Sequence, residues 1–151
     1  MKNKTKTKAG MERTTNRIVL SEMDFQRIKE DIQNFRFQGD ARLFGYVNNL
    51  EKELHHARVV PPEEIEADVV TMNSTVRVMD VKTKESTVYT LVYPHDANID
   101  ENKISVLSPI GCALIGCRVG EVVDVKVPSG VRQYRIEELL YQPEAAGELH
   151  R

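Results

Sequence analysis

The chain of 151 residues has no tryptophan, two cysteines and no long run of apolar residues. A membrane-spanning helix needs about 20 predominantly apolar residues in succession, and none is found. The lysine-rich start also lacks the apolar stretch of a secretory signal. We therefore expect a cytoplasmic protein that does not bind membranes.

Metal and redox chemistry have little support in the sequence. Cys112 and Cys117 do not form a CxxC pair and lie among apolar neighbours, which predicts small buried hydrophobic side chains. His55 and His56 are adjacent, so on a helix their rings would diverge instead of sharing a metal ion. We expect no metal and no cofactor.

Catalytic patterns are equally scarce. The glycines do not form a dinucleotide-binding or phosphate-loop motif, and no Ser-His-Asp arrangement is evident. Isolated acids such as Glu30 and Asp31 are expected to lie on a solvated helix face. We therefore expect a protein that is not an enzyme and has no small-molecule substrate.

The charge is distributed unevenly along the chain. Residues 1–17 contain six cationic residues and one acid, a balance of +5, and the total of -2 leaves -7 for the remainder. A basic segment with little to bury predicts a disordered leader, although it could also contact nucleic acid. The negative net charge of residues 18–151 argues against a protein that mainly binds phosphates.

Two helices joined by a short turn are predicted for residues 18–60. Ser21 is the expected N-cap of the first helix, Gly39 should break it, and Pro61-Pro62 should end the second. Apolar residues recur at steps of three and four and form a narrow stripe on each helix. The stripe residues are Phe25, Ile28, Ile32 and Phe35, then Leu43, Val47, Leu50, Leu54 and Ala57.

Narrow stripes on consecutive helices favour antiparallel pairing. We interpret residues 18–60 as a short coiled-coil arm that projects from the rest of the molecule. Helices of about 15 residues would reach roughly 22 Å. The alternative is that both helices pack on the body.

A β-rich body is predicted for residues 61–142, and residues 143–151 are predicted to be a frayed tail. Ser108, Pro109 and Gly116 are typical of the cap, first residue and end of a short helix. The fold class is therefore α+β, with an antiparallel sheet and one short helix. The predicted strands lie near residues 75–80, 87–93, 104–106, 122–127 and 131–140. The first two and the last two are each expected to form a hairpin.

The segment from Ser105 to Glu121, with Ser-Pro-Ile-Gly at residues 108–111, resembles the C-terminal signature of Gre transcript-cleavage factors. The pattern continues through Val123–Gly130. The chain is most similar to a smaller subgroup of that family, the regulators of nucleoside diphosphate kinase, which have a shortened coiled-coil arm. The resemblance implies an FKBP-like body.

The resemblance also implies a partner and a docking surface. Gre factors bind RNA polymerase at its secondary channel, where their Ser-Pro loop helps dock the body. The matching residues are Ser108, Pro109 and Ile110. Any contact with nucleic acid would be indirect, within the transcription complex.

The arm tip of Gre factors holds magnesium through acidic residues, and the matching tip here consists of Gly39, Asp40 and Arg42. Leu43 occupies the position of the second acid, and one carboxylate beside a cation is a poor magnesium site. We therefore expect a regulator that competes with Gre-type factors without stimulating cleavage. The alternatives are an active cleavage factor and an FKBP-like module that binds another protein.

Overall fold

The computed structural model describes residues 17–148, so the predicted basic leader lies, apart from Arg17, outside the described residues. No helix within this range has both the length and the apolar character needed to cross a membrane. The helices are α1 (Glu22–Gln38), α2 (Phe44–His55) and α3 (Pro109–Leu114). The strands are β1 (Val19–Ser21), β2 (Arg58–Val60), β3 (Thr75–Asp80), β4 (Ser86–Val92), β5 (Lys103–Ser105), β6 (Val122–Val127) and β7 (Gly130–Tyr141).

Helix α1 begins where the cap was predicted. The Ser21 hydroxyl accepts a hydrogen bond from the Asp24 amide at 3.1 Å, which satisfies one of the unpaired donors of the first turn. The helix ends at Gly39, whose N–H donates to the carbonyl of Phe35. Both predicted ends of α1 are confirmed.

The predicted end of the second helix is wrong. Helix α2 stops at His55, well before Pro61-Pro62. The intervening residues form β2, which pairs in parallel with β1, and the Arg58 N–H donates to the carbonyl of Ile18 at 2.9 Å. Because β1 supplies hydrogen-bond partners, the backbone N–H and C=O groups of β2 are paired without helical hydrogen bonds.

The main sheet has the order β5-β4-β3-β7-β6. The pairs β3–β4 and β6–β7 are antiparallel, as the two predicted hairpins require. Strand β5, however, is parallel to β4, so the prediction of an antiparallel sheet is corrected to a mixed one. Residues 93–102 contain two single 3₁₀ turns and bring the chain back beside Thr90, so that β5 runs parallel to the last three residues of β4.

The hydrophobic core joins the helices to the sheet. The inward residues of both helical stripes belong to one buried cluster that also contains Val76 and Ile136 of the sheet. Helix α2 contacts α3, and the Tyr46 hydroxyl donates to the carbonyl of Lys126. The stripes therefore contact the body as well as each other. The shared stripe residues are Ile28, Ile32, Val47, Leu50 and Leu54.

The two cysteines lie inside this core, as predicted. Cys112 and Cys117 are both buried, and the Cys117 thiol donates to the carbonyl of Ala113 at 3.3 Å.

The predicted ends of helix α3 are also confirmed, with Ser108 as its cap and Gly116 beyond its end at a φ of 76°. A φ in this range favours glycine.

Residues 143–148, within the segment predicted to be a frayed tail, form a turn that contains hydrogen bonds. Pro143 is buried, and the Glu148 N–H donates to its carbonyl at 2.8 Å. Just before it, the Gln142 side chain donates to the carbonyls of Glu66 and Val69 at 2.9 and 2.7 Å. These long-range hydrogen bonds anchor a segment whose polar composition had indicated little structure.

Candidate functional site

The Ser-Pro loop is a tightly bonded helix start. The Ser108 hydroxyl accepts from the Gly111 N–H at 3.1 Å and donates to the carbonyl of Ser105 at 2.7 Å. The Ser105 hydroxyl in turn accepts from the Leu107 N–H at 3.0 Å. The loop conformation is therefore fixed before any partner binds.

Glycine is required at position 111, directly after Ile110 of this loop. A Cβ atom added at Gly111 would overlap the carbonyl of Ser105, because the start of α3 lies directly against the end of β5. Pro109 and Ile110 stay partly exposed, and Ile110 also packs on the core. These two side chains provide the apolar surface of the loop.

The turn between α1 and α2 is closed by aromatic packing. The rings of Phe35 and Phe44 meet edge to face with centroids 5.4 Å apart. A Cβ atom at Gly39 would overlap the Phe35 ring and its carbonyl oxygen, so the residue ending α1 must be small. Phe37, also in the last turn of α1, is 89% exposed.

Asp40 is held by Arg42 within the turn. The Asp40 carboxylate accepts from the Arg42 backbone N–H at 2.9 Å and from the guanidinium at 2.8–3.2 Å. The hydrogen bonds from Arg42 lower the pKa of Asp40 below its usual value. The carboxylate is therefore ionised but already bound to a cation.

The tip lacks a second acid next to Asp40 in sequence. Leu43, at the position that the resemblance assigns to that acid, is half-buried. Arg36, in the last turn of α1, donates to Asn48 at 2.9 Å and to Glu51 at 2.5 Å on α2. Within residues 17–148, no group of three or more His, Cys, Asp or Glu side chains could hold a metal ion.

A third polar site lies at the base of α1 and was missed by sequence reasoning. The buried Asp24 carboxylate accepts from the Tyr93 hydroxyl at 2.9 Å and from the Met72 N–H at 3.3 Å. Burial, the largest cause, raises the pKa of Asp24 to about 6, against the opposing effect of the Tyr93 hydrogen bond. The sequence showed Asp24 only as an acid in a first helical turn, because its partners lie 48 and 69 residues away.

The predicted site residues lie on different elements. Ser108, Pro109 and Ile110 begin α3, whereas Gly39, Asp40 and Arg42 form the turn between α1 and α2. Helix α2 connects the two regions, because it follows the turn and contacts α3. A partner that touches both must therefore contact two separate elements of the molecule.

Comparison with solved structures defines the class of protein. The structure described as "Prokaryotic transcription elongation factor GreA/GreB from Nitrosomonas europaea" matches with a TM-score of 0.68 and 39% identity. The match covers 84% of this chain and 100% of that one. The α+β fold, with its helical pair and mixed sheet, is therefore that of a transcription elongation factor.

The sequence comparisons establish the family. The family model described as "Transcription elongation factor, GreA/GreB, C-term" matches residues 50–141. The chain belongs to this GreA/GreB family, as its C-terminal motifs predicted. Members of the family are transcription factors or regulators and not classical enzymes.

Two curated relatives show how far the similarity extends. The "Regulator of nucleoside diphosphate kinase" of Escherichia coli (strain K12) is 37% identical over 132 residues, which cover 87% of this chain and 94% of the relative. "Transcription elongation factor GreA" of Acetivibrio thermocellus is 39% identical over 99 residues, 66% of this chain and 62% of the relative. The chain therefore matches the regulator over nearly its full length and GreA over only part.

Proposed function

We propose that this protein binds RNA polymerase at its secondary channel, as the family membership supports, and competes there with Gre-type factors without stimulating transcript cleavage. The body docks through the loop of Ser108, Pro109 and Ile110, and the helical arm enters the channel with its tip. Contact with nucleic acid is indirect, within the transcription complex.

The observation that best supports a non-cleaving regulator is the chemistry of the tip. Magnesium in a cleavage site prefers several hard oxygen ligands and keeps water molecules for the reaction. Here Asp40 is bound by the guanidinium of Arg42, and Leu43 stands where a second acid is expected. Binding of magnesium would require breaking the ion pair of Asp40 with Arg42. The ion would then find one carboxylate, that of Asp40, at positions 40 and 43.

The reach of the arm supports the same proposal. The last fully buried residue of α1 is Ile32, and Phe35 still packs against the core, so no more than the six residues 33–38 can extend beyond it. At 1.5 Å per residue, this part of the helix is about 9 Å long. A short tip can obstruct a channel mouth without delivering a carboxylate to a distant catalytic centre.

The arrangement of arm and body is part of the proposal. Residues 18–60 form a short antiparallel coiled coil and residues 61–142 an FKBP-like domain. The edge contact of Phe35 with Phe44 and the ion pair of Arg36 with Glu51 support antiparallel pairing near the tip. The pre-formed cap of α3 supports a rigid docking loop.

A competition assay tests the proposal. Core polymerase is incubated with a labelled Gre factor and increasing amounts of this protein, and displacement is followed by fluorescence anisotropy. We expect displacement by the wild-type protein and weaker displacement by Ile110→Ala, because the exposed part of that side chain lies in the docking loop. Ile99→Ala is the matched control, since Ile99 is 81% exposed on another segment and its loss should have no effect.

Two outcomes would overturn the proposal. One is no binding to core polymerase at micromolar concentrations by a folded protein. The other is cleavage of RNA in a backtracked elongation complex above background, lost in Asp40→Ala. The second result would establish an active cleavage factor instead.

A further inference from the structure

One large apolar side chain of the helical pair is left in solvent. Phe37, in the last turn of α1, is 89% exposed. The other three phenylalanines are partly buried: Phe25 and Phe35 pack on the core, and Phe44 packs on Phe35. An exposed phenyl ring contributes little to folding, because its apolar surface stays in contact with water. The ring of Phe37 is therefore available to a partner.

The exposure of Phe37 follows from helix geometry. With 3.6 residues per turn, a residue two positions further along an α-helix lies about 200° around its axis. Phe35 faces Phe44 within the helical pair, so Phe37 lies on the opposite side of the last turn. The stripe between α1 and α2 cannot use this side chain, and the fold does not account for an aromatic residue at position 37.

The charges around this ring are balanced. Arg36 forms an ion pair with Glu51 of α2 at 2.5 Å, and Arg42 forms one with Asp40 at 2.8 Å. Residues 36–43 contain no other cationic residue. Because the two guanidinium groups are already engaged with carboxylates, the interaction that the tip can still offer is mainly apolar.

We propose that Phe37 is the contact residue of the tip, and that its ring inserts into an apolar pocket in the protein wall of the polymerase channel. This inference rests on the proposed function and deepens it, because it names the residue through which the tip binds. The contact takes the place of the magnesium chemistry that Asp40 and Leu43 do not support. It adds affinity to that of the docking loop with Pro109 and Ile110.

The charge balance favours a protein pocket over a nucleotide base as the partner of the ring. Proteins that stack bases on aromatic side chains combine the rings with a positively charged groove for the phosphates. Here a phosphate would have to displace Glu51 from Arg36 or Asp40 from Arg42. An apolar pocket requires no such exchange, and it gains free energy by removing the ring from water.

Binding to core polymerase without nucleic acid tests the contact. Labelled wild-type protein and variants are titrated with polymerase, and fluorescence anisotropy gives each Kd. Phe37→Ala should raise the Kd roughly 10- to 100-fold, the range expected for burial of a phenylalanine side chain. Phe37→Leu should keep most of the affinity, because leucine is also apolar and fills much of the same pocket.

An exposed apolar residue elsewhere provides the matched control. Ile99 is 81% exposed on another segment, and Ile99→Ala should leave the Kd unchanged. Thermal unfolding should give the same Tm for Phe37→Ala and the wild type, because removal of an exposed ring breaks no packing. A weaker binding of Phe37→Ala then reports a lost contact with polymerase.

A photoreactive residue at the same position identifies what the ring touches. Phe37→p-benzoylphenylalanine is bound to a backtracked elongation complex with radiolabelled RNA and irradiated. We expect crosslinks to a polymerase subunit and none to RNA. Ile99→p-benzoylphenylalanine is the control, and we expect it to crosslink to neither.

Four outcomes would contradict the proposal in different ways. If Ile110→Ala binds more weakly but Phe37→Ala binds like the wild type, docking of the body stands and the tip contact fails. Crosslinks to RNA alone would show base stacking, and equal losses in Phe37→Leu and Phe37→Ala would rule out a general apolar pocket. No binding by the folded wild-type protein would refute the proposed function itself, and the tip contact with it.

Discussion

The Ser108 hydroxyl performs two structural tasks that its position in the Ser-Pro motif does not reveal. It caps α3 and also ties the helix start to the carbonyl of Ser105. The side chain is thus already engaged within the loop. In the proposed complex, the contact surface is therefore formed by Pro109 and Ile110, while Ser108 maintains their conformation.

Replacing Ser108 by alanine should lower the free energy of unfolding by about 1 kcal/mol, the usual cost of losing an N-cap. Urea denaturation followed by circular dichroism measures the change. Ser129→Ala is the control, because Ser129 lies in an exposed turn and its replacement should change stability by less than about 0.5 kcal/mol. Equal stabilities of the two variants would show that the cap contributes nothing.

At the scale of the elements, the two glycines at and after the turn between α1 and α2 have different surroundings. Gly39 lies against the Phe35 ring and carbonyl, whereas a Cβ atom at Gly45, on α2, would meet nothing within 4 Å. Neither residue has a positive φ in the structure. The requirement for glycine at the tip is therefore one of space and not of backbone conformation.

This contrast predicts opposite effects of the same substitution. Gly39→Ala should destabilise the protein, by about 1–3 kcal/mol, because the added methyl group must displace the Phe35 ring or the end of α1. Gly45→Ala should stabilise it by about 0.5–1 kcal/mol, because alanine is the better helix former. Thermal unfolding of both variants measures the changes, and a destabilised Gly45→Ala would contradict the open space around Gly45.

At the scale of the whole molecule, the shared core determines how the protein unfolds. Leu50 of α2 is buried in the same cluster as Val76 and Ile136 of the sheet. An arm stabilised only by its own stripe could unfold separately, but one that completes the core of the body is coupled to it. We therefore expect one cooperative transition for helices and sheet.

Leu50→Ala tests this coupling. The substitution should cost about 2–5 kcal/mol, as for other large-to-small changes in a core, and should lower the stability of helices and sheet together. Urea unfolding followed by two-dimensional NMR monitors the backbone amide signals of the helices and of the sheet separately. Asn49→Ala, on the exposed face of the same helix, is the control, and two separate transitions would show an independent arm.

Local patterns in the sequence determined the helix caps, the two hairpins, the start of α3, the buried cysteines and the family. These features depend on residues close together in the chain, such as Ser21 with Asp24 or Ser108 with Gly111. Only the tertiary structure decided the end of α2, the parallel pairing of β5, the anchoring of residues 142–148 and the burial of Asp24. Each of these depends on a partner far away in sequence, as in the pairs Arg58 with Ile18 and Asp24 with Tyr93, and residue spacing contains no information about such contacts.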